Sequence, residues 1–180
     1  MNKINIHLSQ VEEGMTLLDQ FRVQKVADAL KVVKSRGGTV YLCGNGGSHS
    51  TASHFANDLT KMCRIKAVCL GDAVPVTTAY GNDDGWENMY SNALVGRITA
   101  EDAVIGISCS GNSQNVINAL RVGREAEALT IGFTGLSESS NLWHLGVDIL
   151  IHASVPDIRA QEDIHSICGH AIVRAIQEDE

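Results

Sequence analysis

Five short runs rich in β-branched and aliphatic residues punctuate this 180-residue chain: Thr39 to Cys43, Ala67 to Leu70, Ala103 to Ile107, Leu129 to Phe133 and Val147 to Ile151. Helical stretches separate most of them, from about His49 to Lys61, Trp86 to Val95, around Val116, Leu120, Val122 and Ala126, and from about Arg159 to Gln177. Strands too apolar to face water on either side, alternating with helices, belong in a parallel sheet covered on both faces. The expectation is an α/β fold, an open doubly wound parallel sheet sandwiched by helices, whose ligands sit beyond the carboxyl ends of the strands.

Ahead of the first strand, His7 to Ser35 reads as one long helix, with Leu8, Val11, Met15, Leu18, Phe21, Val26, Ala29, Leu30 and Val33 recurring mostly at threes and fours. The step from Phe21 to Val26 breaks that spacing, Gly14 weakens the first half, and Arg36-Gly37-Gly38 ends it. So long an apolar stripe either covers the sheet or partly packs against another subunit. With 44% hydrophobic residues, 2 Pro and no linker, the chain reads as a single domain over 1–180, comprising an N-terminal oligomerisation helix at 1–36 and a sandwich at 37–180.

The formal charge of -7, with no basic run, argues against a nucleic-acid or membrane-surface role, because counterion release needs a basic face. The 5 cysteines are odd in number, scattered and mostly within apolar runs, which suits reduced thiols in a cytoplasmic protein. No basic stretch followed by a long apolar one stands near Met1, and no run approaches the roughly 18 apolar residues of a membrane span.

Two loops fall at carboxyl ends of expected strands. Ser108-Cys109-Ser110-Gly111-Asn112-Ser113 packs three hydroxyls and a glycine where a strand gives way to a helix. Unpaired peptide N–H groups and the positive end of the helix dipole would hold a phosphate there, although a polar loop with a serine N-cap has the same composition. Cys109 is either a small filler or a thiol favoured as thiolate by the helix start. Upstream, Gly44-Asn45-Gly46-Gly47-Ser48 lets the backbone approach a polar ligand, with Asn45 and Ser48 adding side-chain contacts. A dinucleotide site is unsupported, since the full GxGxxG is absent; no GxxxxGK[ST] occurs either.

His54 and Asp58 are four apart on the helix after the glycine loop and share a face. Glu162, His165 and His170 lie on the last helix, Glu162 and His170 on one ridge. Two imidazoles and two carboxylates near a phosphate loop can form a divalent metal site, a general acid/base pair, or both. His49, His144 and His152 read as surface or capping residues.

The blocks GNGGSHSTASHFANDLT, then GND at Gly81-Asn82-Asp83, then ISCSGNS, then EDIHSICGH, together resemble the sedoheptulose 7-phosphate isomerase (phosphoheptose isomerase) family of sugar isomerase (SIS) domains, from about Val40 to Ile176. The resemblance implies a flavodoxin-like or Rossmann-like sandwich and a homotetramer built partly through the N-terminal helix, with active sites shared between subunits. It also implies zinc or another divalent metal. The implied activity is aldose-ketose isomerisation of sedoheptulose 7-phosphate to a heptose 7-phosphate for nucleotide-heptose synthesis. On this chain the family's phosphate-binding serines fall on Ser108, Ser110 and Ser113 with the backbone of Cys109, and its substrate contacts fall on Asn45, Gly46, Gly47, Ser48, Asn82 and Asp83.

The implied metal set is His54, Asp58, Glu162 and His170, with Asp58 as base, His170 as acid and Glu162 also contacting substrate. Asp58 stands where the family commonly has Glu, Glu162 where it has Gln (Gln161 is adjacent), and Met62 where it has a substrate-binding Arg, with Lys61 and Arg64 nearby. These departures leave open an isomerase of another sugar phosphate, or a non-enzymatic tetrameric binding protein of the replication-initiator-associating type.

Overall fold

The computed structural model describes residues 2–135 and 137–177. Its elements run α1 (Lys3–Leu17), α2 (Gln20–Ser35), β1 (Thr39–Gly44), α3 (Gly47–Cys63), β2 (Lys66–Cys69), α4 (Val74–Asp83), α5 (Met89–Leu94), β3 (Ala103–Ser108), α6 (Gln114–Glu125), β4 (Leu129–Thr134), α7 (Asn141–His144), β5 (Ile149–His152) and α8 (Ile158–Ile176). The five strands form one parallel sheet in the order β2-β1-β3-β4-β5. The expected α/β architecture is present. The direction of winding reverses between β1 and β3, so the crevice where such folds bind ligands opens at the carboxyl ends of these two neighbours.

Side-chain alternation divides the core into two layers. Val40 and Leu42 of β1 face a layer completed by Leu30, Phe55, Leu59, Ile164 and Ile172, from α2, α3 and α8. Tyr41 and Cys43 face the other, made by Met89, Tyr90 and Leu94 of α5 with Val116 and Leu120 of α6. β3 is buried along its whole length, as a central parallel strand should be.

The single N-terminal helix of the sequence reading is two helices. The backbone turns extended at Leu18, and the Asp19 carboxylate accepts from the N–H groups of Phe21 and Arg22, so a new helix starts where the apolar spacing runs on unbroken. The division at residue 36 changes accordingly, because α2 buries Val26, Ala27, Leu30 and Val33 in the sandwich itself. Only α1 lies largely outside it, with Ile4 and Leu8 exposed. Gly14 is where α1 closes on α8: a Cβ there would run into Ile164 Cδ1 and stand 2.9 Å from Val155 Cγ1.

Two helices were not expected. Val74–Asp83 fully buries no side chain, resting on the core only through half-buried Val76 and Tyr80, and Asn141–His144 is a single turn capped by Ser140. The helix expected from Trp86 to Val95 is a 3₁₀ turn over Trp86–Asn88 followed by α5. β5 starts at Ile149 rather than Val147, Asp148 being used to accept from the backbone N–H and hydroxyl of Thr130. No helix among the described residues is long and apolar enough to cross a membrane.

Candidate active site

Both polar loops lie at the switch point, the glycine loop leaving β1 and the serine loop leaving β3. In the serine loop, Ser108 Oγ donates to Ser113 Oγ at 3.0 Å and lies 3.4 Å from Ser110 Oγ, so three hydroxyls converge. Gly111 takes a φ of +64°, and a Cβ on it would lie 2.7 Å from Thr134 Oγ1, so both conformation and space call for glycine. Ser113 begins α6 without a side-chain capping bond. The positive end of α6 is thereby left facing the hydroxyls.

Gly46, at φ +55°, opens α3, again with no side-chain cap. This terminus is served differently: a Cβ on Gly47 would run into the Glu162 carboxylate, so the acid of α8 rests against the first turn of α3. An anion is favoured there by the helix dipole. One helix start is therefore supplied with negative charge by the protein; at the other, the Val116 N–H is taken by Asn115 Oδ1, and Ser113 makes no side-chain cap.

The two loops are joined by a residue that the sequence reading missed. Asn45 Nδ2 donates to Asn115 Oδ1 and Asn115 Nδ2 donates to Asn45 Oδ1, both at 2.9 Å. Asn115 is 1% exposed, and a buried amide in the first turn of a helix whose neighbours Val116 and Ala119 are core is the signal that was available. The Tyr90 hydroxyl fixes the glycine loop from beneath by donating to the Gly44 carbonyl at 2.5 Å.

Under the loops runs a buried polar string. His165 Nε2 donates to the Thr134 carbonyl at 3.0 Å, leaving Nδ1 to face Cys109 Sγ at 3.8 Å; Cys109 in turn meets Ser48 Oγ at 3.8 Å. Burial pushes the Cys109 thiol up to about 11, with the Glu162 charge adding to the rise against the Ser48 hydrogen bond. Cys109 is therefore a protonated filler at neutral pH rather than a thiolate. Burial holds His165 down at about 4, the Thr134 hydrogen bond opposing and nearby His152 assisting.

The titratable cluster lies where α3 and α8 pack. His54 Nε2 is 3.1 Å from His170 Nε2 and 3.3 Å from Asp58 Oδ2. Asp58 is buried, and the two imidazoles are exposed. Glu162 does not join this group, whose donor atoms all lie within 4.8 Å of one another. Gln161 is turned away from it: its Nε2 donates to the Val155 carbonyl at 2.7 Å, deep in the core. Asn82 and Asp83 stand exposed at the end of α4, where Asn82 Nδ2 donates to Asp83 Oδ1 at 2.7 Å. Met62, one turn beyond Asp58, is exposed, as are its neighbours Lys61 and Arg64.

The SIS domain family matches residues 4–135. A phosphoheptose isomerase from Helicobacter hepaticus is 34% identical over 139 residues, covering 74% of this chain and 70% of the relative. One from Roseiflexus sp. is 33% identical over 159 residues, covering 84% and 80%. The solved structure of the phosphoheptose isomerase from Neisseria gonorrhoeae superposes with a TM-score of 0.88 at 30% identity, covering 96% of this chain and 94% of that one.

The chain belongs to the phosphoheptose isomerase family. Membership extends to the first residues of α1, ahead of the blocks that carry the resemblance in sequence. Within the phosphoheptose isomerase framework, this chain's Asp58 and Glu162 occupy different places: one in the imidazole cluster, the other at the start of α3. Of the remaining histidines, His144 is exposed, as expected of a surface residue. His152 differs, with a buried Nε2 and its ring against Trp143. His49 differs as well, lying half-buried between Asp72 and Cys69.

Proposed function

We propose that this member of the phosphoheptose isomerase family interconverts sedoheptulose 7-phosphate and an aldose 7-phosphate of the D-glycero-D-manno-heptose type through an enediol. The observation that carries the assignment of roles is the cluster of one buried carboxylate and two exposed imidazoles, on helices that flank the loop crevice. The phosphate sits on Ser108, Ser110 and Ser113 at the start of α6. Asn45, Gly46, Gly47 and Ser48 line the sugar, and Asn82 and Asp83 complete the site. Asp58 takes the proton from C1 of the ketose, and His170 supplies a proton to the C2 oxygen. Return of the carbon-bound proton to C2, with loss of the proton on the C1 oxygen, gives the aldose.

A divalent metal fits the same residues. Two donors on one tetrahedral zinc ion stand about 3.3 Å apart, given bonds of about 2.0–2.1 Å. The separations of 3.1 Å and 3.3 Å around His54 Nε2 agree with that value. His54, Asp58 and His170 would hold the ion, which when bound polarises the substrate oxygens; Glu162 would stay at α3 and bear on the substrate.

The homotetramer is supported by the apolar surface near the N-terminus, where Ile4, Leu8 and Leu17 are exposed and Phe21 is 90% exposed. A cytoplasmic setting is supported by the five cysteines, all free and buried.

Incubation with sedoheptulose 7-phosphate, with and without chelator, tests the assignment, and aldose 7-phosphate is the expected product. No turnover with any divalent metal would overturn it, and turnover only of another phosphorylated ketose would move the substrate, with exposed Met62 the residue to examine. Ser110→Ala is expected to raise KM about tenfold, the equivalent of losing one hydrogen bond to a charged group, with kcat little changed. An unaltered KM would place the phosphate elsewhere.

A further inference from the structure

At the edge of the sheet, away from the imidazole cluster, His49 from the first turn of α3 meets Cys69 at the end of β2 and Asp72 in the loop that follows. His49 Nδ1 is 3.6 Å from Cys69 Sγ. Sulfur and nitrogen bound to one tetrahedral zinc ion stand roughly 3.6 Å apart, from bond lengths of about 2.3 Å and 2.0–2.1 Å. Asp72 Oδ1 lies 3.2 Å from His49 Nε2, its Oδ2 accepts from Ser53 Oγ at 2.8 Å, and one donor from each of the three residues lies within 4.8 Å of the others. The two short contacts use opposite nitrogens of the imidazole, so one ion shared by all three residues sits on Nδ1 and Sγ, and Asp72 must leave Nε2 to join it.

Burial pushes the Cys69 thiol up to about 12, so without an ion it is protonated and a metal must displace its proton. The imidazole ring is seated by Gly71, where a Cβ would stand 2.5 Å from His49 Cε1 and 2.6 Å from its Nδ1. Cys69 and Asp72 also line an open groove of about 680 Å³ with Ser53 and Asn57, which gives an ion a path in and leaves a fourth position for water.

We propose that His49, Cys69 and Asp72 form a second divalent-cation site, selective for zinc-class ions through its thiolate. The donor set is one soft sulfur, one imidazole and one carboxylate, a combination suited to zinc or cobalt rather than to calcium or magnesium. Bound there, the ion fastens the first turn of α3, which carries the glycine loop, to the segment that leads into α4 and Asn82-Asp83. Its role is to hold two parts of the substrate crevice in place, and binding displaces the thiol proton.

Cobalt(II) titration of the full chain tests the site, because none of the donors of the imidazole cluster is a thiol, so a thiolate-to-cobalt charge-transfer absorption reports only the second site. The wild type is expected to develop that absorption as it binds cobalt. A His54→Ala, His170→Ala variant is expected to retain it, so the outcome does not depend on whether the first cluster binds metal. Cys69→Ser is expected to lose it, and His49→Gln to weaken cobalt binding at least tenfold; the latter is a half-exposed position that supplies the same answer if Cys69→Ser fails to fold. The proposal is overturned if the wild type shows no such absorption, which would leave a hydrogen-bonded Asp-His-Cys chain without an ion, or if the absorption survives both substitutions.

Discussion

Asp58→Asn is expected to lower kcat for the ketose phosphate by about 10²–10⁴-fold, the usual contribution of a positioned general base, while KM stays within a few-fold. The separation of the two effects follows from the layout. In the proposed arrangement the phosphate end is held by the serine loop and the start of α6, whereas Asp58 on α3 acts at the opposite end of the sugar. The amide is nearly the size of the carboxylate, and Asn57 Nδ2, which donates to Asp58 Oδ1 at 3.1 Å, can donate equally to an amide oxygen. Folding should therefore be preserved, to be checked by circular dichroism and thermal melting alongside the kinetics. A kcat within threefold of wild type would remove Asp58 from the base role and direct attention to Glu162 and Asp83, the other carboxylates of the proposed site.

The second large effect is on stability. His165 is wholly buried and held at about 4, against an ordinary value near 6.5. Between these values the unfolded chain binds a proton at this residue and the folded chain does not, so stability is full above about pH 6.5 and falls as the pH drops toward 4. At pH 4.5 the loss from this one group is roughly 2–3 kcal/mol, at 1.36 kcal/mol per pH unit of displacement. Urea unfolding at pH 7.5 and 4.5 measures it. Carboxylates lose stability over the same range in any variant, so the quantity to read is a difference: His165→Gln should lose about 2–3 kcal/mol less than wild type between the two pH values. Equal losses in both proteins would show that His165 does not carry the acid sensitivity.

Much of the scaffold is written locally. The apolar runs of β1, β3 and β4 mark central parallel strands without help from distant residues, and the loops at their carboxyl ends are where such sheets place ligands. What escaped was structure that breaks no local pattern or makes none. Leu18 continues the apolar spacing of α1 although the backbone turns there, and Asp19 was the cap that could have marked the break. α4 fully buries no side chain, so Pro75 and the lone four-residue step from Val76 to Tyr80 were its only clues.

At the site, the four-residue step from His54 to Asp58 can be read from one helix, while their meeting with His170 depends on how α3 packs on α8. The same packing decides between Gln161 and Glu162. Their adjacency in sequence gave no way to choose, and the Val155 carbonyl that takes up Gln161 belongs to the segment before α8. His49 was read as a surface residue because its partners, Cys69 and Asp72, are some twenty positions away on a different strand and loop.

The paired amides of Asn45 and Asn115 have a consequence for how the crevice responds to its ligand. Two loops from different strands, each hinged on glycine, would ordinarily need ordering at the moment of binding, and that entropy would be subtracted from affinity. Because the amides exchange two hydrogen bonds, buried on the Asn115 side, that ordering has already been met in the folding of the chain. The crevice is thus a preformed mould, and the two loops are inherited together: a change at either asparagine leaves its partner's amide without both bonds, so the two positions can vary only in step.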